Sequence, residues 1–283
     1  MSPQKKYKTL HPYRMGPEKP DDVTSAPGHA EILRIVAPNP GPMTLAGTNT
    51  YLYGSDPCTV IDPGPDDADH LEAVRAAAEE RGGIGLVLLT HGHGDHAAGA
   101  ARLAAMAADG RRVEAAEGKG EAAEPPPVIR PDGGEEHGGL RALATPGHAA
   151  DHVCFMTADG VCFSGDLVLG EGSTFVPPDG GSLAAYMESL RLLQAEPIEL
   201  ICPGHGPWVT DPAAKLAEYV EHREMRERRL LAALERGERS KEALLAEAWA
   251  DVTAELRPAA ALVMEAHLRK LAAEGLLPHD VWE

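Results

Sequence analysis

The chain has 283 residues, 43% of them apolar and 25% charged, a balance that excludes fibrous and wholly disordered architectures. Its 44 acidic residues against 26 basic ones give a formal net charge of −18, which opposes general attraction to nucleic acid or anionic membrane. A polyanionic substrate would therefore need local help, such as metal ions, and the length suits one catalytic body with a small appendage. Cys58, Cys154, Cys162 and Cys202 stand singly in apolar surroundings, as buried small hydrophobes of a reducing compartment. There is no run of about 18 apolar residues, nor the apolar stretch after the N-terminus that a secretory signal needs. A cytoplasmic location and no membrane partner are expected.

Residues 1–29 are polar, rich in Lys and Pro and without hydrophobic period, and are expected to form an extended arm. From Glu31 the pattern changes to short apolar runs, Ile32–Val36, Thr50–Tyr53, Thr59–Ile61 and Leu86–Leu89, with helical patterns at Asp69–Arg81 and His96–Ala108. Residues 114–139, rich in Gly, Pro and Glu, read as an irregular surface insert. A second set of strands follows at Leu140–Leu143, Val153–Met156 and Val161–Phe163, then a helix at Ser182–Leu193. After Asp211 the spacing predicts helices over 211–236, 240–249 and 259–274, with Gly275–Pro278 able to start a short strand. Three helices and a terminal strand fit a small winged-helix module. The expected division is therefore an arm at 1–29, a catalytic domain at 30–210 and a winged-helix-like domain at 211–283.

The strongest chemical signal is Thr90-His-Gly-His-Gly-Asp-His96, directly after an apolar strand. A strand end opening into a Gly-containing loop lets His91, His93, Asp95 and His96 converge, and alternation sends the side chains of 91 and 93 to one side. Imidazole and carboxylate are the donors that zinc prefers. Thr145-Pro-Gly-His148, Ser164-Gly-Asp166 and Pro203-Gly-His205 each follow a strand-like run and present one further donor in a Gly-containing turn. Any one of them alone would read as a turn; beside the first motif they read as ligands.

The pattern His-x-His-x-Asp-His followed by separate His, Asp and His resembles the metallo-β-lactamase superfamily over about residues 31–210. The resemblance implies an α+β fold, an αββα sandwich, with its metal site at one edge. It implies one metal held by His91, His93 and His148, a second held by Asp95, His96 and His205, and Asp166 bridging them. Two divalent ions are implied, zinc by the donor set, with iron or manganese left open. Asp95 is expected to serve in catalysis as well as ligation. Asp62, in Val60-Ile-Asp-Pro-Gly64, resembles the superfamily's carboxylate that orients a ligand imidazole, although an Asx turn would explain it equally. His152 either reaches the site or only caps the next strand. A closer similarity is to the branch of β-lactamase-like protein 2 endoribonucleases, carried by Gly41-Pro-Met-Thr-Leu-Ala-Gly-Thr-Asn-Thr-Tyr51, Asp151-His152, Phe163–Gly172 and the helical tail. Ala149, where that branch has Thr, and the 114–139 insert depart from it.

Two closely spaced divalent ions serve hydrolysis of a phosphodiester, a thioester or an amide alike, so the site predicts hydrolysis and leaves the bond open. The branch suggests single-stranded RNA as substrate. Against it, residues 221–283 hold ten Lys or Arg and thirteen Asp or Glu, a net of −3 with no obvious footprint for nucleic acid. Arg223, Arg226, Arg228 and Arg229 could touch phosphates, or pair with Glu224 and Glu227 on a solvated helix face. The alternative substrate is a small thioester, and a non-enzymatic alternative is a partner-binding module with a vestigial metal site. Apolar residues at core spacing in the last helix suit packing on the body or in a homodimer.

Overall fold

The computed structural model describes residues 23–117, 125–278 and 281. Residues 1–22 of the expected arm, the stretch 118–124 of the insert, and the two histidines His11 and His279 lie outside the described residues. The first sheet runs in the order β1 (Val23–Ala26), β2 (His29–Val36), β3 (Asn49–Tyr53), β4 (Cys58–Ile61), β5 (Ile84–Leu88), β6 (Val128–Ile129). The second runs in the order β11 (Leu200–Pro203), β10 (Val161–Gly165), β9 (Val153–Met156), β8 (Leu140–Ala144), β7 (Glu136–His137). Pairing is antiparallel except for β4–β5, β5–β6 and β10–β11.

The period of two along each strand builds the layers. Tyr51, Ile61 and Leu88 point inward from the first sheet, and Phe155, Phe163 and Cys202 meet them from the second. Their neighbours point the other way. Leu52, Val60 and Val87 pack against α1 (Ala68–Glu79) and α3 (Ala100–Glu117), while Cys154, Cys162 and Ile201 pack against α4 (Leu183–Ala195) and α5 (Pro212–Glu235). The result is the expected αββα sandwich, and all four cysteines are buried and free. No helix among the described residues is long and apolar enough to cross a membrane.

Four local expectations need correction. The arm gives way to structure at Val23, because Pro27-Gly28 turns the chain, with Gly28 at φ 79°, and β1 pairs back onto β2. The helix expected over His96–Ala108 is two, α2 (Gly94–Ala97) and α3, because the backbone around the break bonds sideways: Gly64 N–H donates to His96 O and Gly99 N–H to Gly64 O, each at 3.0 Å. The insert 114–139 contributes the end of α3 and the two-residue strands β6 and β7, too short to show a period. Among the described residues no strand follows the last helix. Gly275 at φ 72° caps α7 (Arg257–Ala273), with Leu276 N–H donating to Leu271 O at 2.9 Å, so that segment closes a helix instead of starting a wing. Together with α5 and α6 (Lys241–Ala248), α7 forms a helical module with its own core of Leu230, Leu244, Trp249, Met264, Leu268 and Leu271.

Candidate metal centre

Each candidate donor leaves the sheet edge where a strand ends. Asp62 follows β4, His91 to His96 follow β5, His148 follows β8, Asp166 follows β10 and His205 follows β11. The edge is drawn together by polar contacts between the sheets: Asn49 Nδ2 donates to Pro203 O and Gly206 O at 2.8 and 2.9 Å, and Tyr51 Oη donates to Pro203 O at 2.8 Å. Two glycines let the loops close. A Cβ on Gly204 would lie 2.6 Å from Asp166 Oδ1 and 2.7 Å from the His96 ring, and one on Gly165, at φ 45°, would meet Thr90 Oγ1 and the His152 ring at 2.6 and 2.8 Å.

The structure brings all seven expected ligands into one cluster, divided into two sets. In the first, His93 Nδ1 lies 3.0 Å from His91 Nε2 and 3.0 Å from His148 Nε2. In the second, His96 Nε2, His205 Nε2 and Asp95 Oδ2 lie 3.3 to 3.6 Å apart. Asp166 spans them, with Oδ1 at 3.3 Å from both His96 Nε2 and His205 Nε2, and Oδ2 at 3.5 Å from His148 Nε2. Its Oδ1 is buried without a hydrogen bond. Donors about 2.0–2.1 Å from a tetrahedral ion stand about 3.3 Å from one another, so the spacing of both sets fits a divalent metal.

Hydrogen bonds on the far side of the rings set which nitrogen is free. Thr90 Oγ1 donates to Asp62 Oδ2 at 2.7 Å, so it accepts from His91 Nδ1 at 3.0 Å, and the His91 Nε2 lone pair faces the site. His96 Nδ1 donates to Asp62 Oδ2 at 2.8 Å, His148 Nδ1 to Phe175 O at 2.7 Å and His205 Nδ1 to Gly47 O at 3.1 Å. Each contact leaves Nε2 as the inward donor and holds its ring in place. Asp62 also accepts from Thr90 N–H at 2.8 Å, so the carboxylate holds the His96 ring and the end of β5 together. His152 sits beneath the cluster: Asp166 N–H donates to its Nε2 at 3.2 Å, which leaves Nδ1 to donate to Thr145 Oγ1 at 2.9 Å.

The two sets differ electrostatically. Burial drives His91 and His148 towards the neutral form that offers a lone pair. Burial also opposes charge on His96 and His205, but Asp166 outweighs it, and His205 is pushed up to about 9. For Asp166 burial works against ionisation, yet His96 and His205 hold its carboxyl well below the usual carboxylate range. Asp95 is also lowered, burial being outweighed by its contacts with His205 and His96. His152 is pushed down to about 3 by burial and by His148, and so accepts from Asp166 as a neutral ring.

Sequence reasoning overlooked Thr90 as a hydrogen-bond bridge, although it sits in the quoted motif, because a hydroxyl beside three imidazoles carries no ligand signal. The carbonyls of Gly47 and Phe175 had no signal to find. His70 is buried against Thr50 Oγ1 at 2.9 Å, and Tyr186 is a core residue whose hydroxyl donates to Leu167 O at 2.8 Å.

Residues 43–205 match the family model described as the metallo-beta-lactamase superfamily. The chain is similar to a Beta-lactamase-like protein 2 homolog of Caenorhabditis elegans, at 33% identity over 89% of this chain and 88% of that protein. It is also similar to an Atrochrysone carboxyl ACP thioesterase of Aspergillus chevalieri, at 37% identity over 72% of this chain and 65% of that protein. The chain spans 64% or 65% of the length of such fungal relatives. A Beta-lactamase domain protein from Burkholderia ambifaria shares the fold, with a TM-score of 0.68 at 21% identity, covering 93% of this chain and 92% of that one.

Proposed function

The chain belongs to the metallo-β-lactamase superfamily of hydrolases, and from that premise we propose that it hydrolyses the thioester of a small acyl conjugate at a dinuclear centre. The observation that carries the dinuclear reading is Asp166, whose two oxygens are divided between two donor sets. His91, His93 and His148 would hold one ion, Asp95, His96 and His205 the other, and Asp166 both; zinc suits this nitrogen and oxygen set. Divalent ions bound there supply Lewis acidity, which polarises a carbonyl oxygen and makes water acidic enough to attack near neutral pH. The protein's own part is orientation. Asp62, Thr90 and the carbonyls of Gly47 and Phe175 fix the imidazoles, and His152 fixes the backbone of the bridging carboxylate. Asp95, with its side chain 31% exposed, is the second-set donor open to solvent and is placed to hold an attacking water or receive its proton.

The fate of the arginines bears on the substrate. Arg223 and Arg226 are buried, Arg226 Nη1 pairs with Asp251 Oδ1 at 2.5 Å, Arg229 reaches the same carboxylate at 3.3 Å, and Arg228 pairs with Glu221 at 2.6 Å. Three of the four arginines that could have gripped RNA are thus paired with carboxylates of the module, and the fourth, Arg223, is buried against the Thr174 carbonyl, away from any exposed strand-binding face. Beside His205, the loop 41–47 presents Met43, 52% exposed, an apolar flank suited to an acyl chain. A second reading, cleavage of single-stranded RNA, is favoured by the similarity to β-lactamase-like protein 2, which runs through both the sandwich and the helical module.

The test is to incubate zinc-loaded protein with a panel of acyl thioesters and, separately, with single-stranded RNA, beside a chelated sample and Asp95→Ala. Thioester turnover lost in both controls, with RNA intact, is the expected result. RNA cleavage lost in both controls with thioesters intact would move the assignment to the nuclease.

A further inference from the structure

A pocket of about 250 Å³ opens between α4, α5 and α7, where the helical module meets the sandwich. Two buried polar side chains line it without being satisfied. Arg223 is only 3% exposed; its guanidinium stands 5.3 Å over the Tyr186 ring and donates to Thr174 O, but its Nε has no partner. Among the described residues no carboxylate lies within ion-pair distance of it. His267 is fully buried, packed edge-on against Trp249 at 5.6 Å, and neither ring nitrogen has a hydrogen-bond partner. A buried cation without a counter-charge and a ring with two unused polar atoms are each costly, and they share one cavity.

The surroundings say what would relieve both. Lys270, Arg228 and Arg191 also line the pocket, and the two carboxylates there are already engaged, Glu227 by Lys270 at 2.7 Å and Glu224 by Arg228 and Arg191 at 3.7 and 3.8 Å. Arg228 and Lys270 also pair with Glu221 and Glu274, at 2.6 and 2.9 Å, so among the described residues lining the pocket Arg223 is the one cation left without a counter-charge for a bound anion to meet. The remaining wall is apolar, formed by Leu183, Met187 and Leu231. A planar guanidinium matches a carboxylate or a phosphate, but the apolar wall favours an anion with a hydrocarbon body. The volume falls below the roughly 300–1,000 Å³ of ligand sites for drug-sized molecules, which limits that body to a few carbons.

We propose that this pocket is an anion site that takes a small organic carboxylate, received by the Arg223 guanidinium and a ring N–H of His267. The site is separate from the metal cluster yet bonded to its supports. Arg223 holds the Thr174 carbonyl, and the next carbonyl, Phe175 O, accepts from the ligand imidazole His148.

The test is calorimetric titration of butyrate, and separately of inorganic phosphate, into the full-length metal-loaded protein and three variants. Butyrate should bind saturably in the millimolar range or tighter. His267→Leu, which removes a ring making no hydrogen bonds and keeps an apolar body against Trp249, should fold with an unchanged melting temperature. Because a hydrogen bond to a charged group contributes about 1.5–3 kcal/mol, binding in that variant should weaken at least about tenfold. Arg223→Lys keeps the charge but loses the planar fork, and should also weaken binding. Asp95→Ala should leave the butyrate affinity unchanged, which separates this pocket from carboxylate binding at the metals. The inference is overturned by no saturable heat with butyrate, by binding that survives both His267→Leu and Arg223→Lys, by binding that is lost in Asp95→Ala, or by phosphate binding more tightly than butyrate.

Discussion

Buried histidines occur in both halves of this molecule and meet the cost of dehydration in opposite ways. At the sheet edge, His91, His96, His148, His152 and His205 all have both ring nitrogens near a partner, one nitrogen fixed by the fold and the other aimed at the cluster or its supporting backbone. In the helical module, His267 is as deeply buried and has neither nitrogen engaged. The arginines of α5 repeat the contrast within one helix turn: Arg226 is buried against Asp251, and Arg223 is buried with a carbonyl and a ring. Polar burial that is fully partnered specifies a rigid geometry, whereas polar burial left open marks a place where something else can bind.

Three measurements would sharpen or break that comparison. The module's separate core predicts that Leu268→Ala, at a fully buried position, destabilises it by about 2–5 kcal/mol in chemical denaturation while the metal content of the folded protein stays constant. Loss of metal in that variant would show that the two regions are one cooperative unit. Next in size, Asp62→Ala frees the His96 ring and Thr90, and should weaken metal affinity about 10–100-fold in competition with a chelating dye. Unchanged affinity would mean that the imidazoles need no such support. The smallest effect concerns pH. Burial opposes the Asp251 carboxylate, but Arg226 lowers its folded pKa below the unfolded value of about 3.9. The pair therefore contributes fully above that unfolded value, and its contribution is lost as pH falls through the lowered folded one. Asp251→Asn should flatten this acid limb of the module's unfolding curve, and a limb of unchanged slope would assign it to other carboxylates.

Most strands and helices were legible because their signals are local. Val153–Met156 alternates between the two cores, and Asp211 with Pro212 announces α5, the Asp211 side chain accepting from Ala214 N–H at 3.0 Å. The misread elements have local reasons too. β6 and β7 are two residues each, and Gly275 serves a helix cap as readily as it starts a strand. The His and Asp motifs were readable because ligand chemistry restricts residue type and strand-end Gly turns restrict place.

By itself the sequence determined the layered α+β body and the candidate donor residues that gather at one edge of it, because strand alternation and loop composition act over a few residues. Only the tertiary structure decided which nitrogen of each ring faces inward, since the partners are carbonyls and carboxylates up to 158 residues away. It alone also decided that Arg226 finds Asp251, 25 residues on, while Arg223 and His267 line one pocket with buried nitrogens left unpartnered. Counter-charges and hydrogen-bond partners come from wherever the chain returns, and residue type does not carry that information.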